Sequence, residues 1–174
     1  MSAELKITLA PTLDFLGAHL ALQGVLDIFR FDAGGRAFVV DKGISYNLEL
    51  TNTGGAVLVS GVVKANTVAV CDRCLASCDL QLQGELQEYL VIKGSQADFS
   101  DADAEFTVVD ANEEIDLAAY MIAALIFELP ITVLCKDECK GLCPRCGTNL
   151  NTSTCNCDGE LSADHPFAVL KSLL

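Results

Sequence analysis

The stretch ISYNLELTNTGGAVLVSGVVKANTVAVCDRC, residues 44–74, reads as two strands joined by a turn, the second strand running straight into a cysteine pair. Asn52-Thr53-Gly54-Gly55 supplies the asparagine and glycines that tolerate the positive φ of a tight reversal, so residues 44–51 and 56–70 are expected to form a hairpin. Beyond the cysteines, Leu80, Leu82 and Leu86 alternate with Gln81, Gln83 and Gln87 around Gly84, the period of a strand. A third strand over 80–92 would therefore return alongside, leaving Cys71 and Cys74 at the hairpin tip. Gly61 and Gly84, isolated within strands, are expected to mark bulges or bends. Upstream, residues 5–9 read as a strand and Pro11-Thr12-Leu13 opens a short helical or irregular stretch to residue 20. A strand over 25–31 follows, reverses at Asp32-Ala33-Gly34-Gly35, and pairs back through 38–40. Antiparallel strands with closely spaced turns predict a bent sheet or a partly open barrel.

The longest apolar run, residues 115–134, contains Asp116, Glu128 and Pro130. Two acids and a helix-breaking proline make burial in lipid expensive, so the run is expected to be a water-soluble helix over about 113–129, ending before Pro130. Asp110 with Glu113, or Asn112, would cap it. Leu117, Met121, Leu125 and Glu128 fall on one stripe with Ile122, Ile126 and Leu129 beside it, a face wide enough to pack on the sheet. Its Met and Phe residues are expected in the core. The fold class is thus α+β: a β-rich body over 1–134 with a packed helix, then a cysteine-rich module over 135–174. Residues 162–174 read as a short C-terminal helix with Pro166 near its first turn, capped by Asp164 or His165, and with Phe167, Leu170, Leu173 and Leu174 spaced to dock on the body.

Eight of the nine cysteines form four close pairs, Cys71/Cys74, Cys135/Cys139, Cys143/Cys146 and Cys155/Cys157. Tetrahedral zinc takes four thiolates, and one short turn supplies two of them, so four pairs count out to two ions. Cys143-Pro144-Arg145-Cys146-Gly147 is the strongest piece, because two residues between the cysteines let both sulfurs converge on one ion, and the glycine after the second permits a tight turn that leaves backbone amides free to point at the sulfurs. Cys143, Cys146, Cys155 and Cys157 can close one site locally, which leaves Cys71, Cys74, Cys135 and Cys139 to share the other across a long gap. Grouping Cys135/Cys139 with Cys143/Cys146 is also legal but strands two pairs, so the first grouping is preferred. Iron would be accepted by the same thiolate sets. Cys78 is left as a spare buried thiol, or as a substitute for a neighbouring ligand.

A disulfide framework is disfavoured because Met1-Ser2-Ala3-Glu4-Leu5-Lys6 shows no basic stretch followed by an apolar run, so nothing is expected to direct export. A thioredoxin-like site at Cys71 and Cys74 would need a helix N-terminus to acidify the thiol, where a strand is expected instead. His19 and His165 stand far apart with no nucleophile and orienting group around either, and no glycine-rich phosphate loop is present, so the chain does not read as an enzyme.

The net charge of −13 is uneven: residues 1–134 carry seven Lys/Arg against nineteen Asp/Glu, whereas 135–174 carry four against five. Between Gly94 and Asp116 lie eight acids and no base, a solvated loop or a docking surface for a cationic partner. Lys136, Lys140 and Arg145, with Arg73 in the other knuckle, cluster by the cysteines as candidate partner-binding residues, and they would serve a nucleic-acid-binding zinc ribbon as the second functional class. A thiol oxidoreductase is the third.

Cys71-x-Arg73-Cys74-Leu75, Glu114-Ile115-Asp116-Leu117, Leu129-Pro130-Ile131, the run from Cys135 through Cys139-Lys140-Gly141-Leu142-Cys143-Pro144-x-Cys146-Gly147-x-Asn149-Leu150-Asn151 to Cys155-x-Cys157, and the closing Pro166-Phe167-Ala168-Val169-Leu170 together resemble the YceD family of large ribosomal RNA subunit accumulation proteins. The resemblance runs from about residue 60 to the end and is most specific over 135–157; Cys78 departs from it. It implies a non-enzymatic cytoplasmic ribosome-biogenesis factor that supports 23S rRNA accumulation and large-subunit assembly. A basic large-subunit ribosomal protein or a pre-ribosomal particle is the implied partner, with neither membrane nor small-molecule substrate.

Overall fold

The computed structural model describes residues 4–12, 14–95, 106–110, 112 and 114–157. The expected C-terminal helix and most of the acidic stretch lie outside them. The order is β1 (Lys6–Thr8), a 3-10 turn (Ala10–Thr12), β2 (His19–Leu26), β3 (Arg30–Ala33), β4 (Arg36–Asn52), β5 (Ala56–Val70), β6 (Ser77–Ile92), β7 (Thr107–Val109), β8 (Glu114–Asp116) and α1 (Ala118–Phe127). The main sheet runs β2-β4-β5-β6-β7 with β3 also on β4, antiparallel except for β6 with β7. It is open: among the described residues β2 and β7 end the path and no barrel closes.

The hairpin of β4 and β5 forms as its turn residues require. Thr53 N donates to Ala56 O at 2.9 Å, and Asn52 Oδ1 accepts Gly54 N at 2.9 Å. β4 is longer than expected because residues 38–40 and 44–51 belong to one strand. The interruption between them is a bulge, where the register jumps between Asp41 and Ser45 and Lys42 and Gly43 take positive φ. Gly43 is required there, since a Cβ would stand 2.5 Å from Leu26 O. The chain upstream also differs from expectation. β2 starts at His19 because it lies against β4 from Thr51 to Ile44, and β3 follows only after a turn closed by Ile28 N on Leu26 O.

β5 and β6 pair without interruption from Ala56/Val91 to Val70/Ser77, so Gly61 and Gly84 are not bulges. Each marks a close approach of backbone. A Cβ on Gly61 would stand 2.1 Å from Asn47 O on β4, and one on Gly84 would stand 2.6 Å from Ala124 O on α1. The helix therefore seats on β6 where a side chain is missing. Leu117, Met121 and Leu125 are buried there among Val57, Val59, Val63, Leu48 and Leu90, each such side chain contributing roughly 1.5–3 kcal/mol by leaving water. Ile122, Ile126 and Leu129 pack at the edge of this core as expected, whereas Glu128 is exposed. Phe127 is not core: it is 88% exposed on the far side of the last turn.

The helix also starts later than its expected 113–129. Glu114–Asp116 pairs with Lys6–Thr8 as a strand, which buries Ile115 and denies those residues helical dihedrals. Neither Asp110 nor Asn112 caps it. Asp116 Oδ1 accepts Ala118 N at 3.0 Å and Leu5 N at 2.9 Å, so one carboxylate serves the first turn and ties down the N-terminal strand.

Candidate metal centres

The turn from β5 to β6 is a cysteine knuckle. Cys71 N donates to Ala76 O at 2.8 Å and Leu75 N to Cys71 O at 3.0 Å, with Leu75 at φ 57°. Cys143 to Gly147 repeats the pattern, Gly147 N donating to Cys143 O at 2.9 Å with Gly147 at φ 72°. In both turns, the residue after the second cysteine is left-handed. In the first, a leucine carries that conformation.

After α1 the chain passes Pro130 and is fastened to the first knuckle. Asp72 N donates to Val133 O and Asp72 Oδ2 accepts Val133 N, at 2.8 and 2.7 Å, while Asp72 Oδ1 accepts Arg36 Nη2 from β4 at 2.6 Å. Arg73 adds Nη1 to Cys139 O at 3.1 Å, and Arg73 O accepts Leu142 N at 3.1 Å. These contacts bring Cys135 and Cys139 over the hairpin tip. Asp72, Arg36 and Val133 carry no cysteine-spacing signal, and sequence reasoning missed them.

The sulfurs of Cys71, Cys74, Cys135 and Cys139 lie within 4.8 Å of one another, as do those of Cys143, Cys146, Cys155 and Cys157. Of the two groupings the spacing allowed, the structure brings together the one that leaves no pair orphaned; Cys135/Cys139 and Cys143/Cys146 fall in different tetrads. Cys71 and Cys139 are 3.8 Å apart and Cys74 and Cys135 3.6 Å. A tetrahedron of thiolates about 2.3 Å from a central ion has edges of about 3.8 Å, so the first tetrad has the size of a four-sulfur site. A disulfide needs about 2.05 Å, and all nine cysteines are free. Cys78 belongs to neither tetrad: it is buried in β6 and donates to Ala69 O at 3.5 Å.

The thiols of each tetrad titrate as a unit, because like charges this close cannot all form without a cation. Burial pushes Cys71 up, but the backbone amides of Cys74, Cys135 and Arg73 outweigh it and bring the thiol down to about 6. The Cys74 side chain, with burial, pushes Cys135 up to about 12. In the second tetrad the Thr148 hydroxyl and amide bring Cys146 down to about 6, and the Cys146 side chain, with burial, pushes Cys157 up to about 12. A divalent ion held among the four sulfurs would remove the conflict.

Lys136, Lys140, Arg145 and Arg73 are all exposed around the tetrads. Arg73 is the one already committed to a backbone carbonyl. Replacing Asp72 by alanine is expected to cost about 2 kcal/mol in urea unfolding, since Val133 N and Arg36 lose their shared acceptor. A cost within half a kcal/mol would show that this clamp does not hold the segment.

A family model described as large ribosomal RNA subunit accumulation protein YceD matches residues 59–174. An uncharacterized protein of Mycobacterium tuberculosis is 38% identical over 114 residues, covering 64% of this chain and 54% of its own length. One of Mycobacterium leprae is 35% identical over 137 residues, covering 77% and 62%. A protein of Arabidopsis thaliana named large ribosomal RNA subunit accumulation protein YCED homolog 1, chloroplastic, is 40% identical over 48 residues, 28% of this chain and 15% of its own. The chain thus spans about half the length of the mycobacterial relatives it matches. No solved structure matches it significantly. With a matched region that begins inside β5 and takes in both knuckles and both tetrads, the chain belongs to the YceD family of large ribosomal RNA subunit accumulation proteins.

Proposed function

We propose that the protein is a non-enzymatic cytoplasmic factor of ribosome biogenesis that supports 23S rRNA accumulation and large-subunit assembly. In this reading an acidic, strand-rich body is stiffened by two zinc ions, held by Cys71, Cys74, Cys135, Cys139 and by Cys143, Cys146, Cys155, Cys157. It docks a basic large-subunit ribosomal protein or a precursor particle. The observation that carries it is the closure of the tetrads: eight thiols face one another in two sets of four, and a tetrahedral ion with four protein ligands has no position left for substrate. Zinc is favoured over iron as the commoner occupant of structural four-thiolate sites. His19 lies exposed on β2, away from both tetrads, which also favours scaffold over catalyst. Among the described residues no helix is long and apolar enough to cross a membrane. The deciding experiment is capture of the tagged protein from growing cells with identification of what it holds. Basic large-subunit proteins or precursor particles should be enriched, and a capture carrying neither would sink the reading.

Direct contact with rRNA is the second reading, favoured by the exposed Lys136, Lys140 and Arg145. Salt separates the two. Binding through phosphates loses affinity with a log–log slope of roughly −0.7 to −0.9 per neutralised phosphate. An adapter with net charge −13 is expected to show no measurable affinity for naked rRNA at physiological salt. Tight binding that weakens steeply from 50 to 200 mM salt would shift the assignment to the RNA reader.

A further inference from the structure

Asn151 lies between Cys146 and Cys155 in sequence, within the loop that the second tetrad closes, yet its side chain reaches the first. Its Nδ2 donates to Cys139 Sγ at 3.3 Å, and its Oδ1 accepts Lys140 N at 2.9 Å. The backbone amide of Lys140 can only donate, so the oxygen end of Asn151 faces it and the nitrogen end faces the sulfur. Asn149 fixes this pose, its Oδ1 accepting both Asn151 N and Asn151 Nδ2 at 2.9 Å. The backbone holds the two segments in register: Leu142 bridges Asn149, Cys143 N donates to Thr148 O at 2.8 Å, and Leu150 N to Gly141 O at 2.9 Å.

We propose that Asn151 is a positioning residue that couples the two metal centres, so that closure of the Cys143/Cys146/Cys155/Cys157 tetrad strengthens metal binding at the Cys71/Cys74/Cys135/Cys139 tetrad. The inference rests on the metal reading above. An N–H aimed at a coordinating thiolate stabilises its charge and slows its protonation and loss, and this N–H is presented by a loop whose two ends are ligands of the other ion. Coupling of two binding equilibria is reciprocal, so an ion at the first tetrad also favours the second.

The test uses the full chain loaded with cadmium, whose nuclear resonance reports on each four-sulfur site separately, with the second tetrad's resonance assigned through Cys155→Ser. Asn151→Asp keeps the acceptor for Lys140 N at the same size and replaces the donor to Cys139 with an oxygen. It is expected to shift the resonance of the first tetrad and to speed chelator-driven release from it by about 10–100-fold, with the second resonance unmoved. Asn151→Ala, measured alongside, should speed the same release. Two bound ions with both resonances and both release rates as in the unsubstituted protein would overturn the coupling and leave the metal reading standing. Uptake of fewer than two ions by the unsubstituted protein would overturn both.

Discussion

On the metal reading proposed above, stripping the ions with a strong chelator is expected to melt the end of the molecule that carries the cysteines and to release α1 from the sheet. Structural zinc supplies on the order of 10 kcal/mol, against a total folding stability of about 5–15 kcal/mol for a domain. The two tetrads should not weigh equally. The first joins residues 61 and 68 positions apart and closes a path running through β6, β8 and α1, whereas the second closes a local loop. By loop-closure entropy alone, the longer path makes the first crosslink worth about 1.5 kcal/mol more. Cys139→Ser should also free the segment around Val133 that follows the helix, so its effect should spread to amide protection in Ala118–Phe127. Cys157→Ser should lower that protection much less, acting on α1 only through weaker binding at the first tetrad. Circular dichroism, with amide exchange measured along α1, reads both; the chain has no tryptophan to serve as a fluorescent reporter. A chelated protein whose unfolding midpoint equals that of the untreated protein would refute the structural role of the ion. Acid should act in the same direction, because release requires the thiolates to take up protons that the ion displaced.

Gly61→Ala is the second large effect, and it acts on the pairing of β4 with β5 rather than on the cysteines. The added methyl would stand 2.1 Å from Asn47 O and 2.8 Å from Leu48 Cα, both backbone atoms of the neighbouring strand. No rotamer change relieves such a contact. The backbone at Gly61, φ 150°, is also one that L side chains rarely adopt. Strain at the dihedral and forced separation of β4 from β5 together should cost about 3–5 kcal/mol, a fall of roughly 10 °C or more in the melting temperature. Gly34→Ala is the control. Its positive φ of 58° is kept in a turn where a Cβ meets nothing within 4 Å, so it should cost only about 1 kcal/mol. If the two variants melt together, the strand pair accommodates the methyl and the close approach does not limit stability.

The contrast between these sites shows which layers of the structure were legible in the residues. The β4–β5 hairpin, the return of β6 and the knuckle at its tip were readable because each depends on local chemistry: period-two alternation, an asparagine and glycines in a turn, two cysteines at a spacing that suits one ion. The buried stripe of Leu117, Met121 and Leu125 was readable for the same reason. The start of the helix was not, because Glu114–Asp116 is a strand only by virtue of pairing with Lys6–Thr8, more than a hundred residues away in the chain. Phe127 was misplaced because helical periodicity gives an angular position but not where the sheet beneath the helix ends.

Sequence by itself determined that thiols come in pairs, that the pairs count to two four-sulfur sets, and which set can close locally. Only the tertiary structure decided that Cys71 and Cys74 meet Cys135 and Cys139, because that meeting depends on where α1 seats over Gly84 and on Asp72 holding Val133. It also decided that Asn151 faces Cys139 Sγ. Spacing along a chain fixes what neighbours can share, whereas hydrogen bonds between distant segments exist only once packing has fixed both ends.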